Sequence, residues 1–496
     1  VIFNHITKGL SHRQAFFCAQ TFILPNSFIQ LKMKIFSNTL KFNADLYTPV
    51  KLYLSLRNKH RKTCLLESND YHSRQESKSF IGLDPLIELQ QIESTLFIDT
   101  LENQEKIILS NESTFASQVQ AILENYAFED EQFNGFFGRL GYEYNLNDET
   151  HLKPTKSNLD IPLLHAFIYK YVIVIDHFTN EGYIIENSLN NEFGLKNYKD
   201  LFKNETYTAL PFETIGNERA SFTDQEFTQL VTRSIEHCKR GDVFQLVVSN
   251  AFEQSFFGDD FQVYRQLRRL NPSPYLFFFD FEDYRLFGSS PEAQLIISNQ
   301  QAEIHPIAGT IPRTGVQLTD DIQLNFLLND EKENAEHTML VDLARNDLSR
   351  DCSSVNVSKY KEVQHFSHVT HLVSKVTGVL EKSSNFTALC HSFPAGTLSG
   401  TPKPKALELI HKYENSTRDY YGGAIGLFTA KGDLNMAIVI RSMLSKNNTL
   451  HYRAGAGVVL DSIPERETKE VHHKLRAVRT AIELTQNEFK KEAICK

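Results

Sequence analysis

Seven short β-rich runs lie between residues 243 and 460 of this 496-residue chain, and few helix-length segments interrupt them. The runs are Val243–Val248, Tyr275–Phe281, Leu295–Ile297, Ala424–Phe428, Ala437–Ile440, Leu450–Ala454 and Gly457–Leu460, with helices at about 331–346, 402–414 and 464–484. A doubly wound nucleotide-binding fold alternates strand with helix, and this pattern does not. The chain therefore reads as α+β, with large, mainly antiparallel sheets forming a β-sandwich and helices packed outside.

Upstream, Tyr171–Ile175 and Gly182–Ile185 also read as strands, joined by Asn- and Glu-rich stretches. Thr223-Asp-Gln-Glu226 has capping-box spacing and Gly241 supplies a stop, which frames a helix between them. The expected organisation is an N-terminal region at 33–217, a catalytic region at 218–485 and a tail at 486–496. Residues 1–32 hold Lys8, Arg13 and Lys32, no acidic residue, and an apolar patch broken by Gln20 ahead of the first Met, Met33. They read as upstream-translated leader rather than a targeting segment.

A net charge of -9 without a concentrated basic patch argues against a nucleic-acid surface. No apolar run is long enough to span a bilayer, so no membrane role is expected. Six dispersed cysteines with no CxxC pair fit reduced thiols in a cytoplasmic protein.

Chemistry concentrates in the C-terminal half. Glu333 and Glu336 share one helical face, and so do Glu467 and Glu470, with Lys474 a turn further on. Two carboxylate pairs with a neighbouring cation suit a hard divalent ion and an anionic ligand; taken singly, each pair reads better as a solvated, salt-bridged face. In Phe393-Pro-Ala-Gly-Thr-Leu-Ser-Gly-Thr-Pro402, free N–H groups and the hydroxyl of Thr397 or Ser399 are placed either to hold a carboxylate or simply to cap a helix. Gly455, Ala456 and Gly457 mark close ligand approach or a strand bulge, and His371 is a proton carrier or a buried structural imidazole.

Taken in order, these motifs resemble the anthranilate synthase component I branch of the chorismate-using enzyme family, densest from Phe222 to Ile482. The resemblance implies that Glu336 and Glu470 hold Mg²⁺, with Glu333 and Glu467 completing the acidic cluster. It implies substrate contacts from Gly309, Thr310, Tyr421, Arg441, Gly455, Ala456, Gly457 and Lys474, with Thr397 and Gln245 among the catalytic residues. Glu292, in Gly288-Ser-Ser-Pro-Glu292, takes the position of the general acid that protonates the departing hydroxyl of chorismate, and His371 that of the base assisting pyruvate loss.

Two positions select within the family. Gln245 stands where water-using members have a Lys, which suits ammonia, already a nucleophile. Ala308 stands where aminodeoxychorismate synthases have a Lys that forms a covalent adduct; that enzyme and a non-catalytic binding paralogue are the alternatives. Glu67, Ser68, Lys78, Pro274, Tyr275 and Leu276 resemble the family's L-tryptophan feedback pocket. No Cys-His glutaminase arrangement is evident, so a separate glutamine amidotransferase subunit is the expected ammonia source. Asn250, Ala251, Ile311 and His473 depart from the family pattern.

Overall fold

A computed structural model describes residues 32–68, 77–100, 103–110, 113–144, 152, 159–202, 210–313, 316–365 and 369–494, with Thr21–Phe22 and Leu146. The leader expected at 1–32 falls almost wholly outside the described residues. Two long strands, Lys78–Ile92 and Leu164–Asp176, pair antiparallel over most of their length and belong to two layers at once. The bend that lets them do so is local. Asp84 takes φ 52 and the register shifts between Pro85 and Ile87, where proline has no N–H to give the ladder.

Beyond one end of this pair, strand order runs Cys64–Ser68, Tyr275–Asp280, Arg285–Ser290, Ser442–Lys446, Thr449–Val458 and Gln245–Gly258. Beyond the other end it runs Gly135–Leu140, Ala424–Thr429, Leu434–Ile438, Ala293–Ser298, Gln301–Ile304 and Val369–Leu380, with Ile307–Pro312 continuing on that last strand. All of these pairings are antiparallel, as the strand-rich pattern predicts. Two of them, Cys64–Ser68 with Tyr275–Asp280 and Gly135–Leu140 with Ala424–Thr429, join strands from opposite sides of residue 217, so backbone hydrogen bonds cross the division expected there.

Side chains alternate across each strand, and the core follows. Phe277 and Phe279 point between the layers to meet Phe137, Phe167, Ile425 and Leu444, while Phe278 points outward. Helices Asp224–Lys239, Phe261–Leu270, Lys403–Tyr413 and Pro464–Ile494 cover the outer face of the first layer through Leu230, Tyr264, Leu409 and Val471. Helix Glu331–Ser349 covers the second through Val341, Ala344 and Leu348. This is the expected sandwich with helices outside.

Three boundaries differ from expectation. The runs Leu450–Ala454 and Gly457–Leu460 are one strand, Thr449–Val458, because Gly455 and Gly457 remain paired to Ser249 and Val247 and mark close approach rather than a break. The strand expected at Val243–Val248 begins at Gln245 and extends to Gly258. The last helix runs to Ile494, so residues 486–494 extend it instead of forming a separate tail. The capping box forms as predicted, and Gly241, at φ 77, follows the helix end.

Candidate active site

Glu292 follows strand Arg285–Ser290 through Pro291 and is fixed by its backbone, whose carbonyl accepts from Ile438 N at 3.0 Å. Its carboxylate accepts one hydrogen bond, from Thr397 Oγ1 at 3.2 Å. Thr397 reaches it from the turn Gly396–Ser399, which packs tightly on the long helix because Gly396 has no Cβ to strike Leu343. Glu292 and Thr397 line a small cavity of about 30 Å³ with Leu340, Asp347, Ser392 and Ile438. Glu292 is partly accessible through that cavity, yet desolvation dominates and pushes its pKa up to about 7, against the Thr397 hydrogen bond and the positive charges of Arg441 and Lys474.

Arg441 joins the other groups to this acid. It links strands Leu434–Ile438 and Ser442–Lys446 in a left-handed conformation, φ 49, and its guanidinium is lowered by burial against the opposing charges of Glu292 and Glu470. A non-glycine residue in that region is held there by its surroundings, commonly at functional sites. Arg441 also faces His371, whose pKa falls to about 4 through burial first and this cation second, opposed by a hydrogen bond to the Gly309 backbone. His371 is buried and lies opposite Thr310 in the strand register.

The far wall is built on two strands. Gly457 lies opposite Val247, and a Cβ there would come within 2.8 Å of Gln245 Nε2. Gly455 lies opposite Ser249, and a Cβ there would meet Val248 O at 2.8 Å and Tyr421 Oη at 3.2 Å. Lys474 donates to the Gly455 carbonyl at 2.9 Å and lies 3.7 Å from Glu470. Gln245 is buried, its Nε2 turned to this wall and its side-chain oxygen without a partner among the described residues. Ala456 is fully buried and points into the core instead, so its side chain is packing rather than a ligand contact.

The acidic pairs approach from two helices. Leu340, Leu343 and Asp347 line the Glu292 cavity, and Glu336 and Glu333 lie on the same helical face one and two turns earlier. Glu470 reaches the site through Arg441 and Lys474, whereas Glu467 accepts from Ser462 Oγ at 2.8 Å beside its own helix start. Among the described residues no three His, Cys, Asp or Glu side chains gather into a ready metal cage. The donor chemistry of single carboxylates fits Mg²⁺, which takes one or two of them and completes its shell with waters and substrate oxygens; Glu336 and Glu470 are each partly open to solvent.

Of the segments compared with a tryptophan pocket, Cys64–Ser68 lies between Tyr275–Asp280 and the start of Lys78–Ile92, with Ser68 opposite Tyr275 and Glu67 opposite both Leu276 and Ser79. Pro274 immediately precedes this pairing. Lys78 lies 3.5 Å from Asp176. Glu67 is committed: it accepts from Tyr264 Oη at 2.7 Å and from the Arg268 guanidinium at 2.7 and 2.8 Å.

Sequence reasoning passed over Glu414 and Arg418, a buried pair behind Tyr421 whose four-residue spacing was the available signal. Asp347 also went unmarked, yet it lines the cavity and pairs with Lys403 at 2.9 Å. Of the departures, Asn250 exchanges hydrogen bonds with the backbone of Phe222, and His473 lies exposed, 3.9 Å from Glu470.

A buried acid of raised pKa, a neutral histidine and two cations thus meet beside a wall of close-packed backbone. The chain belongs to the chorismate-binding enzyme family, whose model matches residues 36–480. Within that family it is similar to anthranilate synthase component 1 of Aquifex aeolicus, 32% identical over 89% of this chain and 93% of that protein, and to that of Saccharolobus solfataricus, 40% identical over 67% and 76%. Among solved structures it is similar to anthranilate synthase component I from Streptococcus pneumoniae, with TM-score 0.70 and 31% identity over 88% of this chain and 98% of that one. The menaquinone-specific isochorismate synthase of Escherichia coli shares the fold, with TM-score 0.72, 17% identity and coverage of 92% and 96%. No described helix is long and apolar enough to cross a membrane.

Proposed function

We propose that this chain converts chorismate and ammonia to anthranilate and pyruvate in the cytoplasm, as the large subunit of an anthranilate synthase inhibited by tryptophan. The observation that carries the reading is Glu292: a carboxyl held near pKa 7 keeps a proton available at neutral pH, which a solvated carboxylate does not. Arg441 and Lys474 supply positive charge for the two carboxylates of chorismate, and Tyr421 with Gly455 and Gly457 lets the flat ring approach the backbone. Bound Mg²⁺, held by Glu336 and Glu470, would neutralise the ring carboxylate.

Ammonia attacks ring carbon C2 as the C4 hydroxyl departs, and Glu292 gives that hydroxyl the proton with which it leaves as water. Thr397 steers the carboxyl by its hydrogen bond. His371, uncharged at pH 7, then takes the C2 proton as pyruvate is eliminated and the ring becomes aromatic. Its bond to the Gly309 backbone fixes the ring orientation. Gln245 presents an unpaired oxygen but no amine, which suits a nucleophile that needs no activation. Ammonia is supplied by a glutamine amidotransferase partner.

The test is purified protein with chorismate, ammonium and Mg²⁺, read by the fluorescence of anthranilate. Appearance of anthranilate is expected, together with loss of Mg²⁺-dependent turnover in Glu470→Ala and in Glu336→Ala without loss of fold. A non-fluorescent aminated product retaining its pyruvyl group would overturn the reaction, and full activity in either variant would overturn the metal assignment.

A further inference from the structure

Arg418 is almost completely withdrawn from water, its side chain 1% exposed beside a Glu414 side chain that is 2% exposed. Such a pair recovers its desolvation only through good geometry, and apolar replacements can be as stable, so its presence asks for a reason other than stability. Its hydrogen bonds supply one. Besides gripping both oxygens of Glu414, Arg418 donates to the carbonyls of Val247, at 2.8 Å, and of Leu398. Glu414 in turn accepts from the N–H and the hydroxyl of Ser249, both at 2.8 Å. The loop is fixed from outside as well, because Glu143 accepts from the backbone N–H groups of Arg418 and Asp419 at 2.8 and 3.1 Å.

Every anchored segment carries a wall of the active site. Val247 and Ser249 lie opposite Gly457 and Gly455, and Val247 is two residues from Gln245. Leu398 adjoins Thr397, which holds Glu292. The guanidinium also lies against the rings of Tyr142 and Tyr421, 4.6 and 5.9 Å from their centroids, and Tyr421 Oη approaches Gly455. One rigid fork with five donors can tie several acceptors in a fixed geometry, which a lysine ammonium cannot do.

We infer that the buried Glu414–Arg418 pair is a positioning device that holds the Gln245 strand, the Thr397 turn and Tyr421 in mutual register for reaction. The proposal rests on the reading of the site given above, and wild-type turnover of chorismate tests that reading separately. Ångström-scale misplacement of reacting groups costs about 100-fold in rate.

The decisive variant is the double replacement Arg418→Met with Glu414→Met, which removes both charges together and leaves Arg453, 3.7 Å from Glu414, to its bonds with Thr417 O and Ser416 Oγ. It is expected to fold but to unfold at a lower urea concentration than the wild type, because the Ser249 N–H and the Val247 and Leu398 carbonyls lose their partners, while its kcat with ammonium falls about 100-fold and its KM for chorismate moves much less. Arg418→Lys, which keeps the charge but not the fork, is expected to fold with kcat about 10-fold down and the alkaline limb of its pH profile, set by Glu292, unmoved. A folded double variant with wild-type kcat would overturn the inference. If the double variant does not fold, the lysine variant decides, and wild-type kcat there overturns it equally.

Discussion

Glu67 lies two strands from Arg285–Ser290, and Glu292 follows that strand where the chain crosses to the other layer; both carboxylates are largely drawn away from bulk water. Glu67 is filled by a guanidinium fork from Arg268 and a hydroxyl from Tyr264, so its charge is matched donor for donor. Glu292 receives one hydroxyl, while Arg441 and Lys474 act on it without a hydrogen bond. Burial is common to both sites; partnership separates them. A buried carboxylate with a full set of charged donors is a strut, and one left short of donors holds a proton near neutrality. Enough positive charge surrounds Glu292 to receive an anionic substrate, but too little directional bonding to ionise the acid fully.

The largest expected effect breaks that contrast at its reactive end. Glu292→Gln keeps the shape and loses the proton, so anthranilate formation should fall by roughly 100- to 10,000-fold, the usual worth of a general acid. Wild-type turnover should decline as pH rises through about 7, where Glu292 gives up its proton, and this limb should vanish in the variant. The stability consequence has a definite sign. Because the folded pKa lies above the unfolded one, near 4.5, Glu292 favours folding below pH 4.5, and that contribution is lost as pH rises through about 7. Urea midpoints should therefore shift in favour of Glu292→Gln over the wild type between pH 5 and pH 8; a constant difference would remove the raised pKa from the account.

Arg268→Ala breaks the other end and should do the reverse. It leaves Glu67 buried with only the Tyr264 hydroxyl, at a cost of about 2 to 3 kcal/mol, less than for a fully enclosed pair because the Arg268 side chain is itself 36% exposed. Urea unfolding measures that loss, while kcat with chorismate and ammonium should remain within about twofold of wild type. A large fall in kcat would show that the two carboxylates are not as separate in function as their partners imply.

How far the sequence could foresee this depends on the kind of signal. Helix faces were legible: Glu333, Glu336, Glu467 and Glu470 fall where three-residue spacing puts them, and the Thr223 capping box forms. Strand edges were less so, since Gly455 and Gly457 looked like a break when they are the places where a paired strand lies closest to its neighbours. The sandwich follows from the strand-rich pattern, but the bend at Asp84–Pro85 that lets two strands serve both layers is a backbone event that periodicity does not register. Glu292, His371 and Gln245 were singled out by family likeness. The raised pKa of Glu292 and the lowered one of His371 come from burial by residues far away in the chain, which local spacing cannot encode. Arg418 was missed for the same reason, as its partners at 247, 398 and 414 meet only in the fold.

The smallest effect concerns how the two regions communicate. Ser68 lies opposite Tyr275, and Tyr275 lies opposite Ser290, so three adjacent strands place the proposed tryptophan segment in direct register with the residue two before Glu292. Ser290 Oγ lies within hydrogen-bonding reach of both the backbone N–H and the carbonyl of Glu292, at 3.4 and 3.3 Å. A ligand that moved Tyr275 would thus move the strand on which the acid is mounted, without touching the acid. Ser68→Ala removes one hydroxyl, and the loss of a single hydrogen bond to a ligand is about 1 kcal/mol, or roughly fivefold in affinity. The tryptophan concentration giving half inhibition should rise by about that factor, with kcat in its absence unchanged. An unaltered inhibition curve would mean that tryptophan, if it inhibits, does so without the Ser68 hydroxyl.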